Sequence, residues 1–284
     1  MTGFVQSKIE LERDVQNELL NWKNKRHHTV LQIEGPWHVG KTHEVKKFVY
    51  SHYKQVVYVN LVRDEYGFED LMLTDHFMRE YCRNAGIGEY VDDESTVLVI
   101  DEIQERANVY NAIRDLREQL GCDIIVSGSY LARTVNSRDF FLPAGIAYLQ
   151  MYPLSFKEFC RALNIEDILE TISLKSESKD EDYQKLEEAY QVYRKIGGYP
   201  LVVTTFIESR QIDDCMVVLE DLIRTFTAES SRFFTNSTAL SIFQEAYKAV
   251  LVQIAEEKKG TGKTFLEFVT NFVKDTVKEP VSSE

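Results

Sequence analysis

Apolar residues recur along this chain in two alternating rhythms. Phe4, Val5, Ile9, Leu11, Val15, Leu19, Leu20 and Trp22 stand among charges at helical spacing, which predicts a helix over 4–23. Residues 29–33 form a short run of buried type, predicting a strand that stops at Gly35-Pro36. From Lys41 onward, Val45, Phe48 and Val49 return to the helical period. A second strand is predicted over 55–61 and a helix over 68–85. Residues 96–100 are a third, β-branched run that ends in Asp101-Glu102. Ile113, Leu116 and Leu120 share one face of a helix expected over 106–120. A fourth strand over 122–126 ends in Ser127-Gly128-Ser129, and a fifth over 147–151 precedes Pro153.

Short apolar strands alternating with helices predict an α/β fold, a parallel sheet covered on both faces. After Pro153 the strands stop. Residues 155–276 read as helices, broken at Gly197-Gly198-Tyr199-Pro200 and near Gly260 and Gly262. The expected division is therefore an α/β core with its N-terminal helix over 1–153 and a helical lid over 154–284. The polar stretch 173–182 is predicted to be a solvated loop.

Composition narrows the function classes. The 284 residues carry 33 Lys+Arg against 46 Asp+Glu, a net charge of −13. That balance argues against non-specific binding of nucleic acid or of an anionic membrane by the surface as a whole. Cys82, Cys122, Cys160 and Cys215 are widely spaced, without a CxxC pair, so a disulfide framework or zinc site is not expected. The N-terminus has no signal-peptide core, and no apolar run approaches the roughly 18 residues of a membrane span. The chain reads as cytoplasmic.

The chemistry concentrates in Gly35-Pro36-Trp37-His38-Val39-Gly40-Lys41-Thr42, which fits GxxxxGK[ST] between a predicted strand and a predicted helix. Glycines at 35 and 40 let successive backbone N–H groups converge on phosphate oxygens, and the helix that follows aims its positive end at the same anion. Lys41 is expected to reach the β- and γ-phosphates of a nucleotide and Thr42 to ligate Mg2+. A second string, Gly260-Thr261-Gly262-Lys263-Thr264, fails the test, because its preceding residues end a helix rather than a strand. Asp101 and Glu102, at the C-terminal end of the third strand, lie where open α/β sheets bind ligands. Asp101 is expected to hold Mg2+ through its water shell, and Glu102 to polarise an attacking water. Ser127 and Ser129 follow the fourth strand; either hydroxyl can sense a γ-phosphate or orient water, or it caps the next helix. Arg133 and Arg138 can reach a nucleotide or lie on the surface. Trp37, His38 and His43 flank the loop, with His43 expected toward the base or ribose, and His27-His28 are expected in solvent.

Together these residues resemble the prokaryotic AAA-type ATP-binding proteins of the STAND-related archaeal-ATPase group. The likeness runs over roughly residues 8–210 and is carried by Arg13, Trp22-Lys23, GPWHVGKT, VLVIDEIQ, SGS, YPLSFKEF at 152–159 and GGYP at 197–200. It implies a sheet of order 5-1-4-3-2 with a helical lid after the fifth strand. It also implies Gly35, Gly40, Lys41 and Thr42 as Walker A, Asp101 and Glu102 as Walker B, and Ser129 as a sensor-like residue. Two positions depart from the pattern. His43 replaces a small or hydroxyl residue, and Ala144-Gly145 stands where many relatives have Gly-Arg. Relatives continue into a winged helix and a nuclease-like domain, so the chain is expected to stop before or within the winged helix.

The primary expectation is an ATPase that binds MgATP and splits its γ-phosphate to drive a conformational or regulatory switch. The alternative is a slow or non-hydrolysing switch whose output is a protein partner or self-association. A small-molecule kinase is the remote third, since no acceptor-binding motif is evident. ATP is the default base, as no NKxD string of GTPase type is present.

Overall fold

The computed structural model describes residues 9–25, 29–129, 145–172 and 179–230, together with Glu245. His27-His28, Arg133, Arg138, Ala144, the 260–264 string and any start of a winged helix lie outside the described residues. Two compact units divide the chain, residues 1–219 and 220–284. Of the second unit, the description covers only the C-terminal half of one helix and Glu245.

The first unit is built on a parallel sheet. Strands β1 (Val30–Glu34), β2 (Gln55–Asn60), β3 (Thr96–Asp101), β4 (Asp123–Gly128) and β5 (Ile146–Gln150) lie in the order β2-β3-β4-β1-β5. Read from the other edge this is 5-1-4-3-2, as expected. Every pairing is parallel, with Leu31 opposite Ile125 and Val99 opposite Ile125 setting the central register. β3 and β4 are buried at every position, which is why they read as unbroken apolar runs rather than alternating ones.

The pleat sends alternate side chains to two cores. Val97, Val99, Ile125, Leu31 and Ile33 pack against α1 (Val15–Lys23) and α2 (Lys41–His52) through Leu19, Trp22, Val45, Phe48 and Val49. Leu98, Ile100, Ile124 and Val126 pack on the opposite face against Phe68 of α3 (Phe68–Leu71), Phe77 and Tyr81 of α4 (Phe77–Asn84), Tyr110 of α5 (Ala107–Asn111) and Ile113 and Leu116 of α6 (Ile113–Gln119). Side chains of this kind contribute about 1.5–3 kcal/mol each when fully buried.

Several elements differ from the periodicity. The helix expected over 4–23 begins only at Val15 among the described residues, because Arg13 and the Asp14 N–H are tied elsewhere. The helix expected over 68–85 is two short ones. His76, at φ 62°, takes a left-handed conformation that no α-helix can continue through. The break at Ala112 is slight: Ala112 N–H bonds to Asn108 O, and Leu116 N–H to Ala112 O. β4 runs through Ser127 and Gly128, two residues further than predicted.

Helices follow Pro153: α7 (Phe156–Ala162), α8 (Glu166–Thr171), α9 (Asp180–Ile196), α10 (Pro200–Ser209) and α11 (Ile212–Ser230). Asp180, Glu181 and Asp182, expected in a loop, form the first turn of α9, where acidic side chains complement the helix dipole.

One buried ion pair ties this region to the sheet. Arg13 donates Nε to Glu158 Oε1 at 2.9 Å, Nη1 to Val39 O at 3.1 Å and Nη2 to Tyr152 O at 2.7 Å. Glu158 also accepts the Asp14 and Ser155 N–H groups, and Ser155 completes a capping box that starts α7. Burial opposes ionisation of Glu158, but these backbone donors and the guanidinium outweigh it and hold the carboxyl below its ordinary value. Truncating one partner strands the other in the interior. Arg13→Met is expected to lower the unfolding free energy by about 3–5 kcal/mol, and adding Glu158→Leu to recover part of it, as read from urea melts.

Candidate functional site

The site begins where β1 ends. Gly35 leaves the strand so close to the chain after β5 that a Cβ there would lie 2.1 Å from Met151 O. Only glycine fits that approach. The loop then turns through His38 at φ 60° and Gly40 at φ 94°, and Gly40 caps the start of α2. A left-handed cap suits glycine, and it leaves the first N–H groups of α2 directed back at the loop.

Lys41, 8% exposed, folds into that loop. Its Nζ donates to Gly35 O at 2.9 Å, Pro36 O at 2.8 Å and Ser129 Oγ at 2.9 Å. All three partners are neutral oxygens. Burial therefore pushes the ammonium down to about 8, against the opposing pull of the Glu102 and Asp101 carboxylates. A desolvated cation held at a helix N-terminus is a ready receiver for an anion.

Thr42 Oγ1 donates to Asp101 Oδ2 at 2.9 Å, joining the loop to the end of β3 across 59 residues of sequence. Asp101 is 2% exposed and accepts from four donors: Thr42, Tyr58 OH at 2.6 Å, Ser127 Oγ at 2.5 Å and the Glu102 N–H at 3.1 Å. The two serines after β4's apolar run thus separate in role. Ser127, in register opposite Asp101, serves the carboxylate; Ser129 serves the lysine.

Glu102 sits at φ 57°, a left-handed conformation rare outside glycine, and it turns the chain out of β3. Its Oε2 accepts from Gln104 Nε2 at 2.5 Å, and Gln104 Oε1 accepts the Ser129 N–H at 3.3 Å. Burial raises the Glu102 carboxyl above its ordinary value; the Gln104 bond and Lys41 oppose this, while Asp101 and Glu105 add to it.

The structure brings Gly35, Pro36, Gly40, Lys41, Thr42, Asp101, Glu102 and Ser129 together. The remaining loop residues are placed differently. Val39 is fully buried in the α1–α2 core and offers the site only its backbone, whose carbonyl is already bonded to Arg13. Trp37 is half-buried, with its ring centroid 6.1 Å from that of the exposed His38. His43 is exposed on the first turn of α2, within electrostatic reach of Glu10. GGYP closes over the loop from the helical region. Gly198 approaches Leu154 so closely that a Cβ would lie 2.1 Å from its carbonyl oxygen, and a Cβ on Gly40 would lie 3.8 Å from Pro200.

Tyr58 and Gln104 have no role in the motifs, yet each bonds to a Walker-type acid. DEIQ contains Gln104, so its proximity to Glu102 was a signal; Tyr58 is one apolar-compatible residue in an ordinary strand and carried none.

The donor set suits a hard divalent cation. Among the described residues no group of three or more His, Cys, Asp and Glu side chains is arranged to hold a metal. Mg2+ does not need one: it typically takes one or two protein oxygens and completes its shell with waters and phosphates. The Thr42 hydroxyl beside the Asp101 carboxylate fits that demand.

Residues 27–160, just under half of the chain, match the AAA domain family. An uncharacterized protein of Haemophilus influenzae is 29% identical over 110 residues, which are 39% of this chain and 24% of that protein. The aligned region thus spans about a quarter of that relative's length. Among solved structures, a Walker-type ATPase of Pyrococcus abyssi superposes with a TM-score of 0.51 at 13% identity, over 94% of this chain and 89% of that one. A STAND protein with a tetratricopeptide repeat sensor, from Pyrococcus horikoshii, covers 71% of this chain and 30% of its own at 18% identity and a TM-score of 0.38. At 13% identity the likeness to the Walker-type ATPase speaks to fold alone. No helix among the described residues is long and apolar enough to cross a membrane. The sheet order and the loop between β1 and α2 make this an α/β P-loop NTPase fold, similar over residues 27–160 to an AAA domain.

Proposed function

We propose that this chain binds MgATP at residues 35–42 and hydrolyses it to ADP and phosphate, using the cycle to move the helical segment after Pro153. The single observation that carries this reading is the convergence of Lys41 Nζ, Ser129 Oγ, Thr42 Oγ1 and Asp101 Oδ2 at the mouth of the loop. In this reading Lys41 exchanges its carbonyl partners for β- and γ-phosphate oxygens, a charged contact in place of neutral ones. Backbone N–H groups of the loop and of the first turn of α2 cradle the phosphates. Thr42 and Asp101 would hold Mg2+, which would supply neutralisation of the phosphate charge. Glu102 leaves Gln104 to accept a proton from the attacking water, while Ser129 keeps Lys41 aimed at the γ-phosphate.

Gln104 also favours a second reading. With Glu102 bonded to an amide that is itself anchored on Ser129, the base is restrained, and turnover is slow until the restraint is released. The chain then acts chiefly as a nucleotide-dependent switch, with a protein partner or a second copy as its output.

Phosphate release and ATP binding by the purified chain test both. Lys41→Ala is expected to weaken ATP binding at least tenfold, by about 1.4 kcal/mol or more. Glu102→Gln is expected to keep binding and lower turnover by roughly 10²–10⁴-fold, the range for loss of a general base. Binding without turnover in the wild type favours the switch; no binding sinks both readings.

The depressed Lys41 sets a pH dependence with a definite sign. Below about pH 8 the amine is charged before the anion arrives, and affinity is flat. Above it the free site is neutral, so binding must take up a proton, and affinity is expected to fall by up to about tenfold per pH unit. Calorimetric titrations between pH 7 and 10 check this, and the slope should vanish in Lys41→Ala.

A further inference from the structure

Asp101 has more partners than the reaction above uses. Thr42 and the metal account for one side of the carboxylate. Tyr58, on the neighbouring strand β2, donates its hydroxyl at 2.6 Å to the same Oδ2 that Thr42 reaches at 2.9 Å. The ring is held in place: Lys46 Nζ lies 4.1 Å from its centroid. β2 is an edge strand among the described residues, and Tyr58 is half-buried. A tyrosine there can satisfy its hydroxyl with water; this one reaches across β3's end to a carboxylate instead.

We propose, resting on the nucleotide reading above, that Tyr58 is a positioning residue that keeps Asp101 Oδ2 oriented toward the divalent metal of a bound nucleotide. The geometry gives it a role separate from that of Thr42. The Thr42 hydroxyl can ligate the metal through an oxygen lone pair while it donates to Oδ2, whereas Tyr58 holds the same oxygen from the neighbouring strand and takes no part in the metal's own shell. Ser127 and the Glu102 N–H hold only Oδ1. A carboxylate fixed at one oxygen still swings about its Cβ–Cγ bond, whereas one fixed at both does not. Mg2+ demands near-octahedral order, so the second anchor strengthens the metal's grip. Partners one bond removed from a metal typically contribute 10–100-fold to its affinity.

Calorimetry of ATP binding to the full chain, in Mg2+ and in EDTA, tests this in the wild type, Tyr58→Phe, Asp101→Asn and the double variant. Tyr58→Phe keeps the ring, and its melting temperature without nucleotide shows whether it is folded. It is expected to cut the affinity gained from Mg2+ about tenfold, to leave binding in EDTA unchanged, and to add nothing once Asp101 is Asn. An equal loss in Mg2+ and EDTA marks a packing role and overturns the proposal, as does an additive loss in the double variant. Should Tyr58→Phe melt below the assay temperature, Lys46→Met loosens the same ring, and the loss must again be confined to Mg2+. A wild type that gains nothing from Mg2+ removes the metal-dependent function and this role together. A wild type that does gain, beside an unaltered Tyr58→Phe, overturns the role of Tyr58 alone.

Discussion

A carboxylate buried to 2% exposure, with no contacting cation among the described residues, is the constraint around which this fold is arranged. Asp101 sits at the end of the most deeply buried strand, and an ion there is tolerable only when its oxygens are hydrogen-bonded. The donors come from α2, from β2, from β4 and from the following residue's own backbone. Meeting them requires that three strands end in register and that α2 begin beside the sheet's edge of carbonyls. The parallel topology delivers this, since parallel strands bring all their C-terminal ends to one side. The loop at 35–42 is therefore positioned as much by what Asp101 needs as by its own glycines.

Lys41 mirrors that arrangement with opposite charge. Its ammonium is buried against two loop carbonyls and a serine, with no carboxylate in contact among the described residues. Two buried ions of opposite sign are thus each satisfied by neutral groups. In the proposed function a phosphate with its counter-cation gives each of them a partner of opposite charge.

Much of this was legible in the residues before any coordinates. The strands followed from β-branched runs at β1, β3 and β4 with helices between them, because a strand buried on both faces has no polar alternation to confuse it; their order came from the family resemblance. GxxxxGK[ST] and the acids after β3 were recognisable because their spacing is dictated by phosphate geometry. The helix ends were not, since periodicity cannot see a residue such as His76 turning left-handed. Ser127 read as loop because serine and glycine are poor strand formers, yet pairing with Asp101 extends β4 through them. Contacts that join distant segments were out of reach altogether. Arg13 and Glu158 stand 145 positions apart, and Tyr58 meets Asp101 only because β2 and β3 lie side by side.

The Arg13 guanidinium touches Val39 O in the phosphate-type loop, Tyr152 O after β5 and Glu158 at the head of the helical region. Its planar, rigid fork makes those contacts interdependent: displacing one acceptor strains the other two. Free energy added at the loop is thus shared with the helices through a single side chain. Thermodynamic reciprocity then binds the two ends. Whatever factor a phosphate ligand imposes on a partner's affinity for the helices, that partner must impose on the phosphate in return.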